Sequence, residues 1–77
     1  MEVKIEYCTQ WGYLDKALSL RESIERQFGV KAELIKGMGG VFEISVNDNL
    51  LFSKKELGRF PNENEIEDLI EGIESVT

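Results

Sequence analysis

Val3, Ile5 and Tyr7 alternate with Glu2, Lys4 and Glu6, the period of two that gives a strand one buried and one polar face. The alternation ends at Cys8. Beyond Thr9–Gly12, apolar residues recur at Leu14, Ala17, Leu18, Ile24 and Phe28, the spacing of an amphipathic helix, and Gly29 stops it. Val30, Ala32, Leu34 and Ile35 predict a second strand. A strand-helix-strand run of this length predicts a right-handed parallel crossover. Gly37, Gly39 and Gly40 then interrupt the pattern. Val41, Phe42, Ile44 and Val46 predict a third strand, and Leu50, Leu51 and Phe52 a fourth. Asn47, Asp48 and Asn49 between them tolerate positive φ and suit a tight hairpin.

The stretch from Glu56 to Pro61 reads as a loop leading into a last helix. Asn62 as N-cap with Glu65 three residues on approximates a capping box. Ile66, Leu69, Ile70, Ile73 and Val76 make one apolar stripe beyond it. The expected order is βαβββα: a four-stranded mixed sheet with two helices on one face, a two-layer α/β sandwich formed by residues 1–77 as one domain. The other face of the sheet stays partly open.

Composition narrows the chemistry. With 77 residues, 42% of them hydrophobic, the chain encloses one modest core. Cys8 is the single cysteine and there is no histidine, which excludes an intramolecular disulfide, a thiolate–imidazole pair and a Cys/His zinc site. No metal site and no bound cofactor are expected. The N-terminal Met1–Ile5 segment has neither a basic region nor a long apolar one, so a cytoplasmic protein is expected. No apolar run approaches the roughly 20 residues that span a bilayer. The net charge of -6 opposes binding to nucleic acid and anionic lipid. Partners are expected to be proteins or small molecules.

Cys8 sits where a strand hands over to a helix. Unpaired backbone N–H groups and the positive end of the helix dipole favour a thiolate there. Tyr7, Trp11 and Tyr13 would desolvate the sulfur, and Glu6 would repel its anion. The position alone leaves two readings open, a reactive thiol and an inert small residue.

The stretch Tyr7-Cys8-Thr9-Gln10-Trp11-Gly12-Tyr13 resembles the redox segment of the selenoprotein W-like (Rdx) family, where two residues separate a cysteine from a selenocysteine or a second cysteine. A second block resembles the family's hairpin and the loop after it. It runs from Gly40-Val41-Phe42-Glu43-Ile44 through Asn49-Leu50-Leu51-Phe52-Ser53-Lys54-Lys55 to Gly58-Arg59-Phe60-Pro61. Together with the helices the resemblance covers residues 2–74. It implies a thioredoxin-like fold and a thiol redox role linked to glutathione or to a protein. It places Cys8 and Trp11 at the two redox positions, with Thr9, Gln10, Gly12, Tyr13 and Phe60 around them.

Trp11 departs from the family pattern. Without a second thiol, dithiol exchange is excluded, because Cys8 can only form adducts that another molecule must resolve. A monothiol cycle with glutathione as co-substrate remains, as does reversible capping by glutathione. The alternative is a non-enzymatic protein-binding module that uses Trp11, Tyr13 and Phe60 as contacts. The codons UGG and UGA leave residue 11 open between tryptophan and selenocysteine read as tryptophan. Lys54, Lys55 and Arg59 are the clustered positive charge, either contacts for a thiolate or the carboxylates of glutathione, or a solvated edge that blocks aggregation. Gly37, Gly39 and Gly40 either let backbone approach the sulfur or a ligand or merely permit a turn into the third strand. Pro61 is the only proline, so no cis-proline clamp accompanies them. The open sheet face suits a monomer that docks a partner or a weak homodimer.

Overall fold

The computed structural model describes residues 1–76; Thr77 lies outside it, as does the side chain of Val76, the last position of the expected stripe. The elements are β1 (Val3–Cys8), α1 (Tyr13–Phe28), β2 (Glu33–Gly37), β3 (Phe42–Val46), β4 (Asn49–Ser53), α2 (Lys54–Leu57) and α3 (Glu65–Val76). The sheet order is β2-β1-β3-β4. β1 pairs in parallel with β2, from Lys4 opposite Glu33 to Cys8 opposite Gly37. It pairs antiparallel with β3, from Val3 opposite Val46 to Tyr7 opposite Phe42. β3 and β4 form the antiparallel hairpin, with an irregularity between Ile44 and Ser45. Asn47 and Asp48 take φ of 51° and 68° at its turn, which Asn and Asp tolerate better than other side chains.

Alternation along β1 and β3 sends Val3, Ile5, Tyr7, Phe42, Ile44 and Val46 into one buried cluster with Phe52 of β4. Ala17 and Ile24 of α1 and Ile66 and Ile70 of α3 complete the cluster from the same side. The helices therefore share one face of the sheet, as in the expected sandwich. A shallow hollow lined by Lys4, Glu6, Ile35, Glu43, Ser45 and Leu50 marks the other face. α1 ends where Gly29 (φ 70°) turns left-handed and its N–H bonds to Glu25 O, the glycine stop that the sequence suggests.

Two expectations need correcting. Among the described residues there are three helices, because Lys54–Leu57 winds into the one-turn helix α2, which takes in the first two residues of the expected loop. Ser53 is its N-cap, and its hydroxyl accepts a hydrogen bond from Glu56 N at 3.1 Å. β2 begins at Glu33 rather than Val30, since the ladder starts at the pair of Lys4 and Glu33. Ala32 is buried just before it.

Candidate functional site

Cys8 is the last residue of β1, and its N–H donates to Val41 O at 2.9 Å. It is opposite in phase to the core-facing Tyr7 and stands outside the main apolar cluster. It is nevertheless buried, with 2% of its surface exposed. Gly37, its neighbour on β2, is tightly enclosed: a Cβ there would lie 2.7 Å from Val41 Cγ2 and 2.8 Å from Glu6 Oε2. A side chain at this point would have to displace those of Val41 and Glu6, while the φ here is not left-handed.

The residues that follow Cys8 are open to solvent. Thr9, Gln10, Trp11 and Gly12 are all exposed, and Trp11 shows 74% of its surface. Trp11 and Gly12 take φ of 57° and 77°, so the connection into α1 is a pair of left-handed residues. A tryptophan is unusual there. Tyr13 N donates to Gln10 O at 3.3 Å, a long bond closing this turn. Positions 8 and 11 are thus different in kind: Cys8 is buried, and Trp11 presents its side chain outward.

A chain of aromatic rings runs from this turn across the edge of the core. Trp11 and Tyr13 have ring centroids 6.2 Å apart, Tyr13 and Phe60 4.8 Å, and Phe60 and Phe42 5.3 Å. Phe60 therefore contacts Tyr13 on one side and Phe42 of the core on the other. The Tyr13 hydroxyl lies near Gly40, where an added Cβ would be 3.6 Å away. That joins the ring chain to the glycine segment after β2. Lys16 Nζ stands 4.7 Å from the Phe60 centroid, and Lys54 Nζ stands 5.6 Å and 5.4 Å from those of Tyr13 and Phe60, within cation–π range.

The three basic residues singled out in the sequence separate here. Lys54 lies over the aromatic chain, and Lys55 is exposed. Arg59 instead forks onto Glu65, with Nη1 to Oε1 at 2.7 Å and Nη2 to Oε2 at 3.0 Å, so its guanidinium is engaged by α3. Glu65 Oε1 also accepts from Asn62 N at 2.8 Å, one half of the expected capping box. The Arg59 hydrogen bonds, helped by Asn62 N–H, hold the Glu65 carboxyl down at about 2. Glu65 in turn raises Arg59.

Four further residues carried no functional flag in the sequence. Lys16 meets Phe60 because it sits one turn after Tyr13 on α1, an i,i+3 spacing that was legible. Met38 is 82% exposed between β2 and the glycine pair. Glu43 accepts from the Ser53 hydroxyl and from the N–H groups of Phe42 and Lys55, tying β3 to the start of α2; the Ser53-x-x-Glu56 spacing announced that helix. Glu67 is buried at 7% exposure on α3 and accepts from the Ser23 hydroxyl at 2.6 Å. A hollow of about 780 Å³ between α1 and residues 61–67 is lined by neither Cys8 nor Trp11. Among the described residues no group of three or more His, Cys, Asp or Glu could hold a metal ion, and no helix is long and apolar enough to cross a membrane.

Residues 2–72 match the Rdx family. Among similar proteins, migration and invasion enhancer 1 from Bos taurus is 39% identical over 74 residues, and that from Mus musculus 36%, each covering 95% of this chain. The chain spans 62% of the length of these relatives. A SelT-like protein from Arabidopsis thaliana is 58% identical over 33 residues, 43% of this chain and 16% of its own. A selenoprotein W-related protein from Vibrio cholerae superposes with a TM-score of 0.85 at 23% identity, over 94% of each chain. A protein from Bordetella parapertussis does so with a TM-score of 0.85 at 28% identity, over 92% of this chain and 94% of its own.

Proposed function

The chain belongs to the Rdx family of selenoprotein W-related proteins, and from that footing we propose that its redox-related role runs through Cys8 as a single thiol. The observation that carries this reading is the placement of Cys8 at the end of β1, directly before the exposed turn Thr9–Gly12. The Cys8 thiolate attacks one sulfur of a disulfide, glutathione disulfide or one on a protein. A mixed disulfide forms and the other sulfur leaves as a thiolate. An external thiol then attacks the sulfur that Cys8 carries, forming a new disulfide and releasing the Cys8 thiolate, and a second external thiol attacks that new disulfide and frees the carried sulfur as a thiolate. Two external thiols supply the two electrons that reduce the original disulfide, and no second sulfur of this chain takes part.

At 2% exposure the sulfur must be uncovered before it reacts. Local opening of a turn costs less than global unfolding where few contacts hold it. The exposed Thr9–Gly12 turn, closed by a 3.3 Å hydrogen bond, supports that route. Codon 11 bears on the same site. UGG fixes the monothiol form, whereas UGA with a selenocysteine-directing signal would put a second nucleophile at the outward position. The test is incubation of the reduced protein with glutathione disulfide, followed by intact mass. A glutathione adduct on the native protein that is absent from Cys8→Ser is expected. An adduct formed only on the urea-unfolded chain would overturn the proposal.

A second reading is favoured by one contrast, Cys8 at 2% exposure against Trp11 at 74%. It is a non-enzymatic module that binds protein through Trp11, Tyr13 and Phe60. Partner binding lost in Trp11→Ala and retained in Cys8→Ser would support it.

A further inference from the structure

The aromatic chain beside Cys8 carries positive charge that the chain itself leaves unneutralised. The protein has 15 acidic residues against nine basic ones. Among the described residues Lys4, Arg26 and Arg59 each hold a carboxylate, whereas Lys16, Lys54 and Lys55, like Arg21, Lys31 and Lys36, take part in no ion pair; what sets Lys16 and Lys54 apart is their place over aromatic rings. Glu43, the acid bonded to this corner, directs its oxygens to the Ser53 hydroxyl and to backbone N–H groups. Asp15 and Glu56 share the helices of these lysines without pairing to them. Lys16 and Lys54 lie instead over the rings of Tyr13 and Phe60, next to the exposed ring of Trp11. Two ammonium groups over an accessible aromatic strip, with the exposed Lys55 next to Lys54 in the chain, are complementary to carboxylates flanking an apolar side chain.

We propose that this strip docks an acidic protein segment, with an apolar side chain against Trp11 and Tyr13 and its flanking carboxylates on Lys16, Lys54 and Lys55. The inference takes its location from the proposed site, and it names the class of partner presented to Cys8. Docking is non-covalent and does not require the thiol, so it can fail or hold independently of the redox reading.

The test is an NMR titration of the reduced, nitrogen-15-labelled protein with a short cysteine-free peptide that has a central phenylalanine between glutamate pairs. A peptide with lysine in place of each glutamate is the control. The expected result is saturable shifts at the Trp11 indole and at residues 9–16 and 54–60, weakened by added salt. Lys16→Glu with Lys54→Glu should weaken binding about tenfold, and Lys16→Gln with Lys54→Gln by less. The glutamine pair guards against a folding defect in the reversed variant. Equal shifts from the lysine peptide, or shifts centred on the open sheet face or on the hollow between α1 and α3, would overturn the proposal. So would binding to phosphatidylserine vesicles with no response to the acidic peptide, which would assign the strip to a lipid surface.

Discussion

Replacing Trp11 by glycine separates a packing role from a surface role. Three terms set the outcome. Trp11 is 74% exposed, so about a quarter of the roughly 200 Å² that a tryptophan can bury is removed from water, about 1 kcal/mol. Glycine also adds freedom to the unfolded chain, a further loss of about 0.5–1 kcal/mol. Against these, Trp11 sits at φ 57°, a left-handed conformation that costs an L-residue about 1–2 kcal/mol and costs glycine almost nothing. The terms nearly cancel. Trp11→Gly should change the free energy of unfolding in urea by less than about 1 kcal/mol, with an unchanged slope. If Trp11 instead plugged the end of the core, the loss would be about 3–5 kcal/mol. A loss in that range would refute the assignment of Trp11 to the surface and remove the main support for the docking strip.

The Arg59–Glu65 pair predicts how stability depends on acid. The folded state holds the Glu65 carboxyl at about 2, below its ordinary value of 4.5. The contribution is therefore complete above about 4.5 and is lost as pH falls toward 2. Glu65→Gln should flatten the wild-type decline over that window in acid titrations followed by circular dichroism; an unchanged decline would contradict the pairing. Ser23→Ala removes the hydroxyl that donates to the buried Glu67 and should cost about 1–3 kcal/mol in urea unfolding. A neutral result would show that Glu67 finds another partner.

Much of the fold is legible because its signals are local. Alternation in Val3–Tyr7, the Asn47–Asn49 turn and the stop at Gly29 each name an element without knowledge of its neighbours, and the structure has all three. The helix α2 escaped because its four residues hold no apolar period; the signal was Ser53 as a cap and Glu56 three residues later. The site was less legible. Trp11 was readable as a surface residue, but the burial of Cys8 was not, since its neighbours Gly37 and Val41 come beside it only by strand pairing. Arg59 looked available beside Lys54 and Lys55. Its capture by Glu65, six residues on and across a turn, follows no helical spacing.

The central claim is that Cys8 reacts in the folded protein by local opening of the turn that follows it. The direct test is the labelling rate of Cys8 by a maleimide, measured below the unfolding transition at rising urea and compared with the unfolded chain. A small domain is stable by about 5 kcal/mol or more, so access through global unfolding alone would slow labelling more than about a thousandfold. Local opening should slow labelling far less than that, with a rate that barely changes with urea below the transition. A thiol protected by the full global stability, its labelling rate rising with the slope of global unfolding, would contradict the redox reading and leave the Trp11 surface as the working part of the molecule.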